Sequence, residues 1–281
     1  MRGKRICVVG DNCVDIVYGD TTREYPGGNA VNTAVALSRT GSAVGIVSVI
    51  GTDERGTLIR DTLRREGVDT TRLKFVEGQT AWTEVKIEQG ERVFLDDDLA
   101  VQKSFDIDDD DRAYLRGFDW VHHTAFTNWP SASDGEMEEY YRRISRQVSE
   151  IHGVVPGLSV DFSDRADWAL LSALRGLVDI GFFSRPSMTE AEALAHVASL
   201  REYEIGTIIM TMGEYGSYAY DGHSLEFQRA VRVNTVSTLG AGDAFIGSFL
   251  SGFLEQADQK SCLEAAAEYA ADVCKTSSAF G

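Results

Sequence analysis

Thr235-Val-Ser-Thr-Leu-Gly-Ala-Gly-Asp243-Ala-Phe-Ile-Gly-Ser-Phe-Leu250 decides how the rest of the chain is read. Polar residues leave a β-like segment, Gly240-Ala241-Gly242 follow, then a carboxylate, then an apolar run with helical spacing. This predicts a tight turn opening a helix, with glycines that allow close approach and positive φ. The first N–H groups of such a helix lack intrahelical partners, and with the helix dipole they form a site for an anion such as phosphate. Asp243 stands at the mouth of that site. A carboxylate there repels an anion rather than holding it, so its chemistry is that of a base taking a proton from an attacking hydroxyl. From these residues alone, an ordinary capping carboxylate on a Gly-rich helix start reads equally well.

Outward from this stretch, the 281 residues suffice for a full core, and 44 Asp and Glu against 27 Lys and Arg give a formal charge of -17. Such a surface repels nucleic acid and anionic membranes, which excludes both as partners. Cys7, Cys13, Cys262 and Cys274 show neither CxxC nor zinc-finger spacing, so free thiols in a reducing cytoplasm are expected. The apolar run after the basic Met1–Arg5 start is too short for a signal peptide, and no stretch reaches the roughly 18 apolar residues of a membrane helix.

Arg5 to Val9 reads as a buried strand, Ala30 to Ser38 as a helix, Ala43 to Ile50 as a second buried strand and Asp53 to Glu66 as a second helix. This alternation marks a parallel sheet with crossover helices. Leu73–Val76, Ala81–Ile87 and Arg92–Leu95 alternate at period two, predicting a small antiparallel sheet that serves as a lid or a dimer contact. Acidic Asp106 to Asp111 reads as a solvated helix start. Strands around 119–126, 158–162, 178–183 and 206–211 follow, with helices at 134–151 and 190–201. A hairpin from Gly216 to Val233 and helices at 242–256 and 260–275 end the chain. The expected fold is α/β: a three-layer α/β/α arrangement around a mostly parallel sheet in one domain over 1–281, with a small antiparallel β lid formed by about 13–26 and 72–104.

Polar residues gather where strands end, the place where open α/β sheets bind ligands. Asp11 and Asp15 follow the first strand, and Asn29 and Asn32 share one face at the start of the first helix. Asp161, Ser163 and Arg165 follow a middle strand, and Thr211, Gly213 and Gly216 a late one. Short carboxylates and amides in such a collection suit a sugar or polyol, although each residue alone also reads as a cap or turn. His122 and His123 are neighbours on a strand and face opposite ways, so a structural or site-rim role is expected rather than a metal site. Trp82 and Phe94 either close the lid over a ligand or pack within it.

The chain resembles the ribokinase-like (PfkB) carbohydrate kinases. Gly27-Gly-Asn-Ala-Val-Asn-Thr-Ala34 matches the first signature of that family and Ser237-Thr-Leu-Gly-Ala-Gly-Asp243 the second, in the expected order. Within the family the pattern is most similar to that of fructoselysine 6-kinases, through Gly10-Asp-Asn-Cys-Val-Asp15, Arg92-Val-Phe94 and Asp161-Phe-Ser-Asp164. The resemblance implies an ATP-dependent, Mg2+-assisted kinase acting on a primary hydroxyl of a ketose or ketosamine, fructoselysine first. Fructose, ribose, 2-keto-3-deoxygluconate or a nucleoside are alternative substrates, and a non-catalytic sugar- or nucleotide-binding protein is an alternative of another class.

It further implies Asp243 as catalytic base, Gly240, Ala241 and Gly242 as the backbone anion hole, and Arg165 near the transferred phosphate. Asp11, Asp15, Gly27, Gly28, Asn29, Asn32 and Phe94 form the expected sugar-binding set, and Thr211, Gly213 and Gly216 the nucleotide-binding Thr-x-Gly-x-x-Gly. Glu190 would hold magnesium through water, in a Ser187-Met-Thr-Glu190 that replaces the usual Asn-x-x-Glu. The acidic residue that usually opens the second signature, part of a monovalent-cation site, is here Ser237. A homodimer through the lid is expected.

Overall fold

The computed structural model describes residues 4–19, 21–88, 91–125, 132–164, 167–186 and 188–280; for residues 87, 88, 91, 92 and 94 only the backbone is described. Nine strands form one large sheet and four form a second. In the large sheet, β1 (Arg5–Val9) pairs in parallel with β4 (Ala43–Gly51) on one side and β8 (Trp120–Thr124) on the other. β5 (Asp69–Val76) extends it beyond β4. Beyond β8 come β9 (Leu158–Asp161), β10 (Ile180–Ser184) and β11 (Thr207–Thr211), all parallel. The antiparallel hairpin β12 (Ser217–Tyr220) and β13 (Leu225–Gln228) closes that edge, where the Gly216–Val233 segment is expected to lie.

The apolar alternation explains the layering. On β1, Cys7 and Val9 enter one core while Ile6 and Val8 enter the other. The first core is covered by α3 (Asp109–Leu115), α4 (Asp134–His152), α5 (Trp168–Ala173) and α6 (Glu190–Leu200). The second is covered by α1 (Asn29–Arg39), α2 (Glu54–Arg65), α7 (Ala241–Leu254) and α8 (Gln259–Val273). Both faces of a largely parallel sheet are thus buried, as crossover helices require. The four cysteines are free thiols, Cys7 and Cys262 buried. Among the described residues, no helix is long and apolar enough to cross a membrane.

The small sheet differs from the expected one in membership and direction. Its order is β3 (Arg23–Gly27), β2 (Cys13–Tyr18), β6 (Trp82–Glu88) and β7 (Glu91–Asp98), and β2 runs parallel to β6 while the outer pairs are antiparallel. The strand containing Leu73 to Val76 is instead β5, the far edge of the large sheet. Period-two alternation marks a half-exposed strand but not which sheet it joins, and an edge strand alternates like a lid strand.

The acidic run at 106–111 is also only partly solvated. Asp108 and Asp111 form a reciprocal capping box at the start of α3, as a helix start requires. Asp111 itself is fully buried: Arg72 Nε donates to its Oδ1 at 2.7 Å and Lys74 Nζ to its Oδ2 at 2.7 Å. Both cations lie on β5, so this carboxylate fastens the sheet edge to α3. Removing one member of a buried ion cluster typically costs about 3 kcal/mol. Asp111→Ala is therefore expected to lower the melting temperature by roughly 5–10 °C. Asp110→Ala, which removes a side chain 84% exposed, is the control and should shift it little. Equal shifts in thermal unfolding would contradict the anchoring role.

Candidate active site

Chain order reverses between β1 and β8: from β1 the sheet grows through β4 and β5, then restarts at β8 and grows the opposite way. Loops at such a switch point diverge and leave a crevice at the carboxyl ends of the strands. Asp11, just after β1, and Thr124, the last residue of β8, meet there. Thr124 Oγ1 donates to Asp11 Oδ1 at 2.6 Å and accepts from the Asp11 N–H at 3.3 Å.

The head of α1 enters the same crevice. Gly28 has φ 90°, and a Cβ there would stand 2.5 Å from Asn12 Cα. Only glycine lets these two backbone segments cross so closely. At Gly27 a Cβ would lie 2.4 Å from Asp15 Oδ2, so a larger residue there would displace the Asp15 side chain. Gly28 has no side chain with which to cap α1, and Asp11 replaces it: its Oδ2 accepts from the Asn29 N–H at 3.1 Å. Asn29 Nδ2 donates in turn to Asp161 Oδ2 at 3.3 Å, so one asparagine bridges two carboxylates. Burial raises both acids, and it pushes Asp161 up to about 6, with the nearby Asp11 charge adding to the effect.

The head of α7 completes the cluster. Gly240 has φ 74°, and a Cβ there would meet Ala279 O at 2.4 Å, so the backbone at Ala279 packs on this turn. Asp243 is 9% exposed, and its Oδ2 accepts from Asn32 Nδ2 at 2.8 Å. Around the turn, the Ala241 N–H donates to Thr238 O at 3.2 Å. Gly242 opens on free space, with nothing within 4 Å of a Cβ position. The helix-start donors that lack an intrahelical partner by geometry include that of Gly242. Ser237 is buried, and its Oγ accepts from the Leu239 N–H at 3.1 Å.

Asp11, Asp15, Gly27, Gly28, Asn29, Asn32, Asp161 and Asp243 thus share the crevice or its wall. Thr211 ends β11, four places along the sheet from β1, on the order of 19 Å at normal strand spacing. Gly213 and Gly216 follow it with φ 57° and 116°. Glu190 opens α6 nearby, and its Oε1 accepts from Tyr218 Oη at 2.8 Å. Among the described residues, no three His, Cys, Asp or Glu side chains are grouped to hold a metal. A lone carboxylate suits an ion that keeps most of its water and is held chiefly by phosphates. Arg165, Ser187 and the side chain of Phe94 lie outside the described residues.

Sequence reasoning passed over Thr124 and Asn12. Asn12 is buried and donates from Nδ2 to Ser48 Oγ and Val49 O, both at 2.8 Å, fixing the exit from β1. The histidine pair behaves as strand geometry predicts: His122 Nδ1 meets Ser159 Oγ at 2.9 Å and His123 Nε2 meets Gln147 Oε1 at 3.0 Å on the opposite face. Burial lowers them to about 3 and about 4, so both are neutral.

The chain is similar to fructoselysine 6-kinase of Shigella flexneri, 35% identical over 250 residues that span 89% of each chain. It is 30% identical over 281 residues to fructosamine kinase FrlD of Bacillus subtilis (strain 168), covering 99% of this chain and 93% of that one. Among solved structures, Arabidopsis thaliana ribokinase complexed with ribose and ATP matches with a TM-score of 0.81 at 19% identity, over 99% of this chain and 94% of that chain. The pfkB family carbohydrate kinase model matches from residue 5 to residue 280, and with a ribokinase-like sheet and both signature loops at one crevice, the chain belongs to this kinase family.

Proposed function

We propose that this carbohydrate kinase phosphorylates a primary hydroxyl of a ketosamine, with fructoselysine phosphorylated at its 6-hydroxyl as the best-supported substrate. The similarity to two kinases named for fructoselysine and fructosamine supports the substrate class. The observation that carries the chemistry is the buried Asp243 carboxylate, oriented by Asn32 at the head of a 14-residue helix. In this reading Asp15, Asn29 and Asn32 bind the sugar hydroxyls and orient the acceptor oxygen toward Asp243. Asp243 accepts the hydroxyl proton, and the Gly242 N–H of the Gly240-Ala241-Gly242 turn, with the helix dipole, faces the charge that develops on the phosphoryl oxygens. Arg165 would add its cation there. ATP, the co-substrate, supplies the γ-phosphoryl group and fits Thr211, Gly213 and Gly216; Glu190 would hold magnesium through its water shell. The small sheet acts as the lid, and excluding water at closure limits wasteful ATP hydrolysis.

Positioning and electrostatics do most of the work in phosphoryl transfer, so loss of the base should show in turnover rather than in binding. Asp243→Asn is expected to reduce kcat on the order of a hundredfold or more while leaving sugar binding near normal. ADP release and sugar titration measure the two quantities, and near-normal turnover would refute the assignment of the base.

The Ser237 hydroxyl is engaged with the Leu239 N–H and carries no charge to offer a monovalent cation. Replacing sodium by potassium is therefore expected to leave turnover nearly unchanged. A several-fold rise would show that other groups build a cation site.

A further inference from the structure

Arg185 follows β10 directly, between the end of β9, which carries Asp161, and the end of β11, which carries Thr211. Its side chain pairs with no carboxylate among the described residues, in a chain where 44 Asp and Glu face 27 Lys and Arg. One of its nitrogens serves the backbone instead. Arg185 Nη1 donates to Ser163 O at 3.2 Å, to Asp164 O at 2.6 Å and to Ser184 O at 2.6 Å. Burial lowers the guanidinium and the Asp164 charge opposes that shift, so the cation is kept at this place against its desolvation.

Ser163 and Asp164 lie in the segment that leaves β9 at Asp161 and leads to α5. Ser163 has φ 54°, in the left-handed region that a residue with a Cβ holds only where its surroundings fix it. Three hydrogen bonds do so here. Ser163 O accepts from the Ser184 N–H at 2.8 Å and from Arg185 Nη1, and the Ser163 N–H donates to Asp161 Oδ1 at 2.8 Å. The other oxygen of that carboxylate accepts from Asn29 Nδ2. A continuous chain of contacts therefore runs from Arg185 through the Ser163 turn and Asp161 to the amide at the head of α1. Arg185 also meets the nucleotide end, but with its backbone: its N–H donates to Thr211 O at 2.7 Å.

We infer that Arg185 is a positioning residue for the sugar end of the site: by clamping the Ser163–Asp164 turn it sets the Asp161 carboxylate, and through it the Asn29 amide that meets the sugar. The inference rests on the reading above in which Asn29 binds a sugar hydroxyl, and adds to it a residue that acts through others. With Nδ2 committed to Asp161, Asn29 presents its Oδ1 and its second N–H in a fixed direction. The tie to Thr211 uses the Arg185 backbone and survives any change of side chain, which makes the effects on the two substrates separable.

Steady-state kinetics with sugar and ATP varied in turn test it. Arg185→Met keeps an unbranched stem and removes the donor. It should raise KM for fructoselysine about fivefold to tenfold and leave KM for ATP within about twofold. Arg185→Lys, whose single nitrogen carries three donors, should restore most of the loss. Arg185→Gln, which keeps one amide nitrogen, should lie between them, and it replaces Arg185→Met in the series if that variant does not fold. Because the effect travels through Asp161, Arg185→Met added to Asp161→Ala should raise the sugar KM little beyond Asp161→Ala alone. An unchanged sugar KM in Arg185→Met overturns the inference. So does a parallel rise in both KM values, or a double variant in which the two effects multiply. If the wild-type enzyme takes fructose and not fructoselysine, the ketosamine reading falls and the same comparison on fructose decides the inference. If it phosphorylates neither, both fall.

Discussion

Asn32 and Asp243 are 211 residues apart, yet one 2.8 Å hydrogen bond joins them at the heads of two packed helices. Its geometry depends on how closely α1 and α7 approach. One turn further along each helix, Gly247 faces Ala36, and a Cβ on that glycine would lie 2.6 Å from Ala36 Cβ and 3.2 Å from Thr33 O. A larger residue would push the helices apart one turn below the bond. An Asn–Asp contact tolerates only a few tenths of an ångström of such separation. The glycine that looks like helix filler in the Asp243 stretch therefore sets the position of the carboxylate it follows.

Two groups of carboxylates in this molecule, wholly or partly withdrawn from water, show opposite treatments of the same cost. Asp111 is fully buried between Arg72 and Lys74, and serves to hold β5 against α3. Asp11 and Asp161 are held by an asparagine, a threonine and backbone N–H groups, with no cation beside them among the described residues. Hydrogen bonds from neutral donors offset only part of the desolvation of an acid, and burial accordingly raises both groups. Paired charges far from a crevice read as structure. Unpaired ones at a topological switch point are where a ligand has most to contribute.

Much of this was legible from local pattern. The β–α alternation, the positions of the two glycine-bearing loops and the shared face of Asn29 and Asn32 follow from spacing alone. The capping boxes at Ser133 and Thr189 mark helix starts that the sequence reading placed within a residue or two. Long-range partners were not legible. Nothing near Asn29 points to Asp161, 132 residues away, and nothing near Asp111 points to β5. The strand around Leu73 was assigned to the wrong sheet because alternation reports exposure rather than neighbours. Thr124 was passed over because a strand-ending threonine is ordinary until β1 is known to end beside it. His123 showed its orientation but not the glutamine it meets.

The placement of the small sheet in the chain explains why the crevice needs so tight a crossing at Gly28. The chain leaves the large sheet after Asp11, runs out through β2, returns along β3 and re-enters at Asn29. Asp15 and Gly27 belong to the small sheet, on paired strands where Asp15 lies opposite Tyr25 and Gly27 opposite Cys13. Asp11 and Asn29 stay with the large sheet, joined through the carboxylate cap on α1. The two strands of backbone that connect these pairs cross where Gly28 lies over Asn12. Asn12 is in turn anchored to Ser48 and Val49, so the crossing ties the start of the small sheet to β4 of the large one.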